Sequence, residues 1–372
     1  MTLRFLHTSD LHLGRAFGAF PEGIRNRLRE ARHGTIARLA AAARAGGARV
    51  VLLAGDTFDA ETPAPDTLRQ ALRAMADEAD TDWLLIPGNH DSLAATELWR
   101  RVAADGPANL RVLATPEPLD LGGSWLLPAP CTARRPGRDL TEAMDAPTPA
   151  GAPRIGLGHG AVTDFAAEGG TPGIIPPDRA SRSGLDYLAL GDWHGQIQVG
   201  PATWYSGTPE ADSFKHVSPA GALLVGLAGP GAVAQVVPVA TGRLVWQACR
   251  IDLLPDDDAV ARLRAVLPAE RPRDHLVRLS ATGRTTLAER AALAAAIVRA
   301  APDFGWFEAD LSALSVAAMP DDLDLIDRGG ALRQAAERLM AEAQDAAQPA
   351  DARDTAAAAL SILFALAQED PA

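Results

Sequence analysis

Five apolar runs punctuate the first two hundred residues: Leu3–Thr8, Val50–Ala54, Trp83–Pro87, Arg154–Gly158 and Asp186–Leu190. Each is hydrophobic without alternation, the pattern of strands covered on both faces. Between the first two, Ile24, Leu28, Ala31, Leu39 and Ala42 recur at helical spacing. Leu68, Leu72 and Met75 predict a second helix, and Leu93 to Val102 a third. Strands alternating with helices predict a layered α/β core. Residues 107–153 read as shorter strands joined by Pro- and Gly-rich turns, and Trp204 to Trp246 as strand and turn again. The latter stretch is expected to form a second sheet packed on the first. Beyond Ile251 the pattern changes: Asp257–Leu267 is helical, His275–Ala281 strand-like, and Leu287–Ala301 a strong helix. Two further helices, Gly330–Gln344 and Asp351–Gln368, flank Pro349. The expected organisation is a large domain over 1–250, a small α/β domain over 251–328 and a helical segment over 329–372.

Composition narrows the class. No run of about 18 apolar residues occurs, so no membrane span is expected. The first residues enter a strand directly, without the basic and apolar regions of a leader, which predicts a cytoplasmic protein. Cys131 and Cys249 are too few for a disulfide framework or a cysteine zinc site, and are expected to be buried thiols. The net charge of −12 argues against a chain that holds nucleic acid by its overall field. Two bound divalent cations would offset only part of it. A nucleic-acid substrate would therefore require a partner subunit to supply much of the contact.

The candidate chemistry sits at the ends of the five runs. After them come Ser9-Asp10-Leu11-His12, Gly55-Asp56-Thr57-Phe58-Asp59, Gly88-Asn89-His90-Asp91, His159, and Gly191-Asp192-Trp193-His194. The carboxyl ends of parallel strands line one edge of a sheet, so residues nearly 200 positions apart are expected to converge. Aspartate, histidine and an asparagine carbonyl suit divalent manganese, iron or zinc. There are enough donors for two cations, with Asp56 placed to bridge them. Two cations about 3.5–4 Å apart activate water and neutralise charge on attacking and leaving oxygens, as phosphoester hydrolysis demands. Gly55, Gly88 and Gly191 are expected to permit the sharp turns involved.

In this order the motifs resemble the calcineurin-like metallophosphoesterase signature: Asp-x-His, Gly-Asp, Gly-Asn-His-Asp, a lone His, and Gly-His-x-His. The resemblance covers residues 1 to about 215. It is nearest to the nuclease subunit of the bacterial SbcCD complex, through the opening Leu-His-Thr-Ser-Asp-Leu-His-Leu-Gly and through Tyr205-Ser206-Gly207-Thr208-Pro209-Glu210. It implies a four-layer sandwich, two central β-sheets flanked by helices, with a C-terminal α/β cap and terminal helices. By position, Asp10, His12, Asp56 and His194 would hold one cation, and Asp56, Asn89, His159 and Asp192 the other. His90 would be catalytic, protonating the leaving oxygen, with Asp91 orienting it. The chain departs from the family at Asp192, where histidine is usual. That change is expected to favour manganese or magnesium over zinc.

The implied function is a two-metal DNA exonuclease and endonuclease in repair, working with an SMC-like coiled-coil ATPase and possibly forming a homodimer. Residues 330–368 are the candidate docking segment, although their apolar stripes equally fit packing within the chain. A small-molecule phosphodiesterase or phosphatase acting on nucleotides is the competing expectation, favoured by the acidic charge. A protein phosphatase fits less well, because Asp59 is followed by Ala60-Glu61 and the third motif ends in Asp91. Arg25, Arg29 and Arg32 share one helix face and suit either phosphate contacts or a solvated surface. The same two readings apply to Arg134, Arg135 and Arg138. His7 is expected to be a satisfied residue of the core or near the site, His33 and His275 structural or at the surface, and His216 a solvated loop residue.

Overall fold

A computed structural model describes residues 3–163, 174–215, 219–317, 323, 326 and 329–369. His216 lies outside them. The chain divides into two compact units, Met1–Val245 and Trp246–Ala372.

The first unit is built on two six-stranded sheets. One contains β1 (Leu3–Thr8), β2 (Val50–Ala54), β3 (Asp82–Ile86) and β4 (Leu110–Val112), all parallel and in that spatial order. The other is formed around β5 (Leu119–Asp120), β6 (Trp125–Ala129), β7 (Arg154–His159) and β8 (Tyr187–Gly191), extended by β9 (Ile197–Gln198) and β10 (Thr203–Tyr205). The five apolar runs are thus strands, but they belong to two sheets, three in the first and two in the second. The stretch from Trp204 to Trp246 does not form a sheet of its own. β11 (Gly221–Leu227) and β12 (Gln235–Ala240) return to the first sheet, β11 pairing antiparallel to β1 with Leu3 opposite Leu227.

Alternation along the strands shows why the runs are continuously apolar. Phe5, Leu52, Ala54, Leu84 and Ile86 point into the space between the sheets, where they meet Ile155, Leu157, Tyr187 and Ala189. Their neighbours Leu6, Val51, Leu53, Trp83 and Leu85 point the other way. There they are covered by α1 (Glu22–His33), α2 (Thr35–Ala45), α3 (Pro65–Asp77) and α4 (Thr96–Asp105). The expected single helix over 24–42 is two, parted at Gly34, and the third begins at Thr96 rather than Leu93. On the outer face of the second sheet, Leu127, Leu188 and Leu190 pack with Met144 and with Ala180 of the short α5 (Arg179–Arg182). The result is the mixed α/β architecture anticipated, two central sheets flanked by helices.

In the second unit, β13 (Val245–Leu253), β14 (His275–Thr286), β15 (Trp306–Asp310) and β16 (Leu314–Ala317) form one sheet. α6 (Ala259–Val266) and α7 (Leu287–Ala300) cover it through Leu263, Leu293 and Ile297. α8 (Ala331–Gln344) and α9 (Ala350–Glu369) pack with Leu287 of α7 through Ala336, Leu360 and Phe364. Leu332, Ile362 and Leu366 remain exposed. No helix among the described residues is long and apolar enough to cross a membrane.

A buried polar contact at β1 helps join the two sheets of the first unit. His7 on β1 is buried, its Nδ1 2.9 Å from the Tyr187 hydroxyl of β8 and its Nε2 3.2 Å from the Leu190 carbonyl. A neutral ring that donates from Nε2 and accepts from the tyrosine at Nδ1 satisfies both contacts. Burial accordingly holds this imidazole down to about 3, against an ordinary value of 6.5. The unfolded chain takes up this proton as pH falls below about 6.5, while the folded chain resists until about pH 3. Stability linked to His7 is therefore fully present above that window and lost as pH falls through it, by about 1.4 kcal/mol per pH unit. Replacing His7 by leucine should cost about 1–3 kcal/mol at pH 7, because the Tyr187 hydroxyl loses its partner. In urea unfolding from pH 7 to pH 4, the gap between wild type and His7→Leu should narrow steadily.

Candidate metal centre

The loops after β1, β2 and β3, the end of β7 and the turn after β8 meet at one place. Backbone hydrogen bonds continue the strand pairing into the loops: Asp10 donates to Gly55, His12 to Asp56, Leu13 to Thr57, and Asp59 back to Leu13. Side chains then tie the remaining loops in. Asp56 Oδ1 accepts from the His90 amide at 2.8 Å, and the Asp192 amide lies 3.2 Å from Asp10 Oδ2. Four of these residues hold left-handed backbone: Asp10 (φ 56°), His12 (φ 43°), Asp56 (φ 53°) and Asp192 (φ 100°). Non-glycine residues there are strained by about 1–3 kcal/mol each and persist only where surrounding contacts over-determine them. The glycines act differently from what their motifs suggested. Gly55 does take a positive φ, 88°, but Gly88 and Gly191 are required by crowding. A Cβ on Gly88 would stand 2.1 Å from Asp56 Oδ1, and one on Gly191 2.1 Å from the Ala54 carbonyl.

The seven expected ligands converge. Nε2 of His12 and Nε2 of His194 face each other at 3.2 Å, and Asp10 Oδ1 lies 3.9 Å from each. Asp56 turns one oxygen to each half of the cluster, Oδ2 at 3.7 Å from His12 Nε2 and Oδ1 at 3.5 Å from His159 Nε2. Asp192 Oδ1 is 3.8 Å from the same His159 nitrogen and accepts from Asn89 Nδ2 at 2.8 Å. Donor atoms of Asp10, His12 and His194, and those of Asp10, Asp56 and His159, lie within 4.8 Å of one another.

The donor chemistry fits divalent cations. His159 Nδ1 donates to the Ala54 carbonyl at 2.8 Å, which aims Nε2 at the carboxylates. That nitrogen and Asn89 Oδ1 are buried with no hydrogen-bond partner, the state of ligand atoms awaiting an ion. Charge in the cluster is unbalanced. Burial raises Asp56, and although the nearby imidazoles work against this, the Asp10 carboxylate adds to it. Burial would also raise Asp10, but His194, His159 and His12 draw it below the usual carboxylate range. Burial lowers His159, yet Asp56, Asp10 and Asp192 outweigh it and push the ring up to about 9.

His90 packs its ring edge-on to that of His12, centroids 4.8 Å apart. The expected orienting role of Asp91 does not hold. Its two oxygens accept from the Phe58 and Gly88 amides at 2.9 and 2.7 Å, and His90 Nδ1 instead pairs with the Asp59 carbonyl at 2.9 Å. Asp91 is fully buried and fastens the loops after β2 and β3 to each other. Arg32 also departs from expectation. It is buried, not a solvated face, and donates to the Leu11 carbonyl at 2.7 Å and to Asp212 at 2.8 Å. Arg29 secures the loop after β1 through the Arg15 and Ala16 carbonyls. Cys131 and Cys249 are buried, as anticipated.

The segment Tyr205–Glu210 forms the layer beneath the ligands. Ser206 lies 2.9 Å from the Ser9 hydroxyl, which donates to Asp10 Oδ2 at 2.5 Å, and Thr208 donates to the Asp10 carbonyl at 2.9 Å. The Tyr205 hydroxyl donates to Gly160 and accepts from Val162, fixing the backbone after His159. Glu210 accepts from the Arg243 and Leu244 amides and from Arg38. Asp212 was not anticipated as a contact of the ligands, since a single carboxylate outside a motif gives no local signal, and Asp59, which closes the second motif, was given no role.

The site and the two-sheet framework together define a candidate binuclear metal centre on a layered α/β fold. Residues 3–170 match the family model described as calcineurin-like phosphoesterase. An uncharacterized metallophosphoesterase of Bacillus subtilis (strain 168), YhaO, is 27% identical over 246 residues, 60% of this chain. The match spans 57% of the length of that relative. The solved structure of TT1561 of Thermus thermophilus aligns with a TM-score of 0.36 at 12% identity, over 56% of this chain and 90% of that one. The family match and the curated relative support the calcineurin-like metallophosphoesterase superfamily for the N-terminal unit.

Two outcomes follow from the geometry. Asp91→Ala should lower stability by about 2–4 kcal/mol, because two buried amides lose their acceptor, whereas His90→Ala should leave the urea midpoint nearly unchanged. Cation binding to the folded state should stabilise it by about 2.7 kcal/mol at a hundredfold excess over Kd. Melting with manganese and with EDTA reads this as a higher Tm in the metal-containing sample.

Proposed function

We propose that this chain is a two-cation phosphodiester hydrolase, with Asp10, His12, Asp56 and His194 holding one cation and Asp56, Asn89, His159 and Asp192 the other. The observation that supports it most is the Asp56 carboxylate, whose two oxygens face the two halves of the donor cluster. When bound, two divalent cations supply charge neutralisation and activate water at the phosphorus. The chain's own residues do the rest. Asp10, Asp56 and Asp192 would hold the cations, and His90, held by the Asp59 carbonyl, would give a proton to the leaving oxygen as the phosphorus–oxygen bond breaks. Aspartate at 192 favours manganese or magnesium over zinc, since a carboxylate is the harder donor.

The substrate we infer is DNA, the enzyme serving as the nuclease subunit of a repair complex with an SMC-like ATPase. Three observations favour this. The Tyr205–Glu210 segment, which resembles the nuclease subunits, is built into the support of Asp10. The loop that leaves Cys131, tied to the site by bonds to Pro87 and Leu93, carries exposed Arg134, Arg135 and Arg138. Finally, α8 and α9 leave Leu332, Ile362 and Leu366 exposed for a partner, although most of their stripe is used within the unit. The net charge of −12 favours a second reading, a small nucleotide phosphodiester as substrate.

With manganese, the purified chain should cleave single-stranded or linear duplex DNA, and Asp56→Ala or His90→Ala should slow cleavage at least about a hundredfold. Turnover of aryl phosphodiesters without any DNA cleavage, alone or with the ATPase, would establish the small-molecule reading instead.

A further inference from the structure

A cavity of about 370 Å³ in the first unit lies beside the carboxyl half of β6. β5 reaches only Trp125 and Leu126, so among the described residues 127–129 meet no strand on the side away from β7. Leu93, Pro116, Pro130 and Leu140 wall the space thus left. The backbone sets its place relative to the donor cluster. Ala129 stands opposite Gly158 in the register with β7, so the cavity is level with the strand end that carries His159. Cys131 donates to the Pro87 carbonyl at 3.0 Å and accepts from the Leu93 amide at 2.9 Å, which ties one wall to the turn holding Asn89 and His90. β6 is the immediate neighbour of β7, about 4.8 Å away, and the nucleotide next to a phosphorus held at the cluster would reach the cavity.

Three polar side chains that line it, Thr132, Arg138 and Glu142, are exposed and have no hydrogen-bond or ion-pair partner among the described residues. Asp139, also at the wall, is already engaged, its oxygens accepting from Thr141 and Arg179. Apolar walls with a few convergent polar groups characterise small-ligand sites, which run from about 300 to 1,000 Å³. This one is at the small end, suited to one base with its sugar rather than to a duplex. A base packs its faces on apolar side chains and is read along its edge by hydrogen bonds. Glu142 can accept from an exocyclic amino group, as carboxylates do from N4 of cytosine, and Arg138 can meet a neighbouring phosphate.

We propose that this cavity receives the base of the nucleotide next to the cleaved phosphodiester, with Glu142 selecting a base that carries an exocyclic amino group. This rests on the phosphodiester hydrolase reading above. Steady-state kinetics of the full chain with manganese would compare bis-4-nitrophenyl phosphate, which has no base, with the 4-nitrophenyl esters of deoxycytidine and thymidine 5′-phosphates. The KM for the deoxycytidine ester should lie at least about fivefold below that for the thymidine ester, and Glu142→Leu should erase this difference. Ala114 is exposed and lines the cavity, so Ala114→Trp fills it without disturbing the core. That variant should raise the deoxycytidine KM at least about fivefold and leave turnover of bis-4-nitrophenyl phosphate within about twofold. A like loss on single-stranded oligodeoxycytidine assigns the base to a DNA strand, and a loss confined to the mononucleotide ester assigns it to a small nucleotide diester. Equal KM values for the two bases in the wild type, or the same effect of Ala114→Trp with and without a base, overturn the proposal and leave the hydrolase reading standing. A wild-type chain that hydrolyses none of these diesters overturns both.

Discussion

Gathering several carboxylates in one buried volume is the constraint on which the structure turns. Asp10 and Asp56 are almost wholly buried, and each raises the cost of ionising the other. Unpaired charges cannot be held in such a place without compensation. Compensation comes from three sources: imidazoles facing the carboxylates, backbone amides such as those of His90 and Asp192, and the cations that the remaining lone pairs await. The framework must supply the first two before any ion arrives. That explains why backbone hydrogen bonds join the loops after β1 and β2 and the ends of β7 and β8, while buried carboxylates tie these pairs to each other and to the loop after β3.

Left-handed backbone at four candidate ligands has the same origin. A residue that directly follows a strand would normally continue outward, carrying its side chain away from the other loops. Turning the chain back costs steric energy at Asp10, His12, Asp56 and Asp192, and the surrounding hydrogen bonds hold them there. Gly88 and Gly191 reflect the density of the result, since no Cβ fits beside Asp56 or against the Ala54 carbonyl. Strain and crowding are consequences of bringing many donors to one point.

What was legible in the residues follows from how local each signal is. Strands β1, β2, β3, β7 and β8 could be read because both faces are buried, so every position is apolar. The ligands could be read because each follows its strand immediately. The sheet to which a strand belongs could not be read. β11 and β12 look like the start of a new sheet, and only pairing with β1, more than 200 residues earlier in the chain, returns them to the first. Asp91 was misjudged for a related reason. Its place beside His90 suggested a contact, whereas the backbone turns its carboxylate inward to amides of two other loops. Arg32 lies on the polar side of a helical pattern, yet Asp212 and the Leu11 carbonyl, 180 and 21 positions away, draw it into the interior.

The acidic balance of the chain changes meaning once its carboxylates are located. Asp10, Asp56, Asp91, Glu210 and Asp212 are buried, each facing amides, imidazoles or guanidinium groups. They contribute little to the field met by an approaching polyanion, because their charge is answered within a few ångströms. The arginines of the loop after Cys131 are exposed and sit on a segment bonded to the Gly88–Asp91 turn through Pro87 and Leu93. A phosphate backbone responds to charge near its path, and electrostatic attraction across more than a Debye length, about 8–10 Å in ordinary salt, is largely screened. A net charge of −12 distributed over 372 residues is therefore compatible with a locally receptive approach to the centre. Exposed charge near the path of a substrate bears on its choice more than the total does, and the loop after Cys131 carries three exposed arginines.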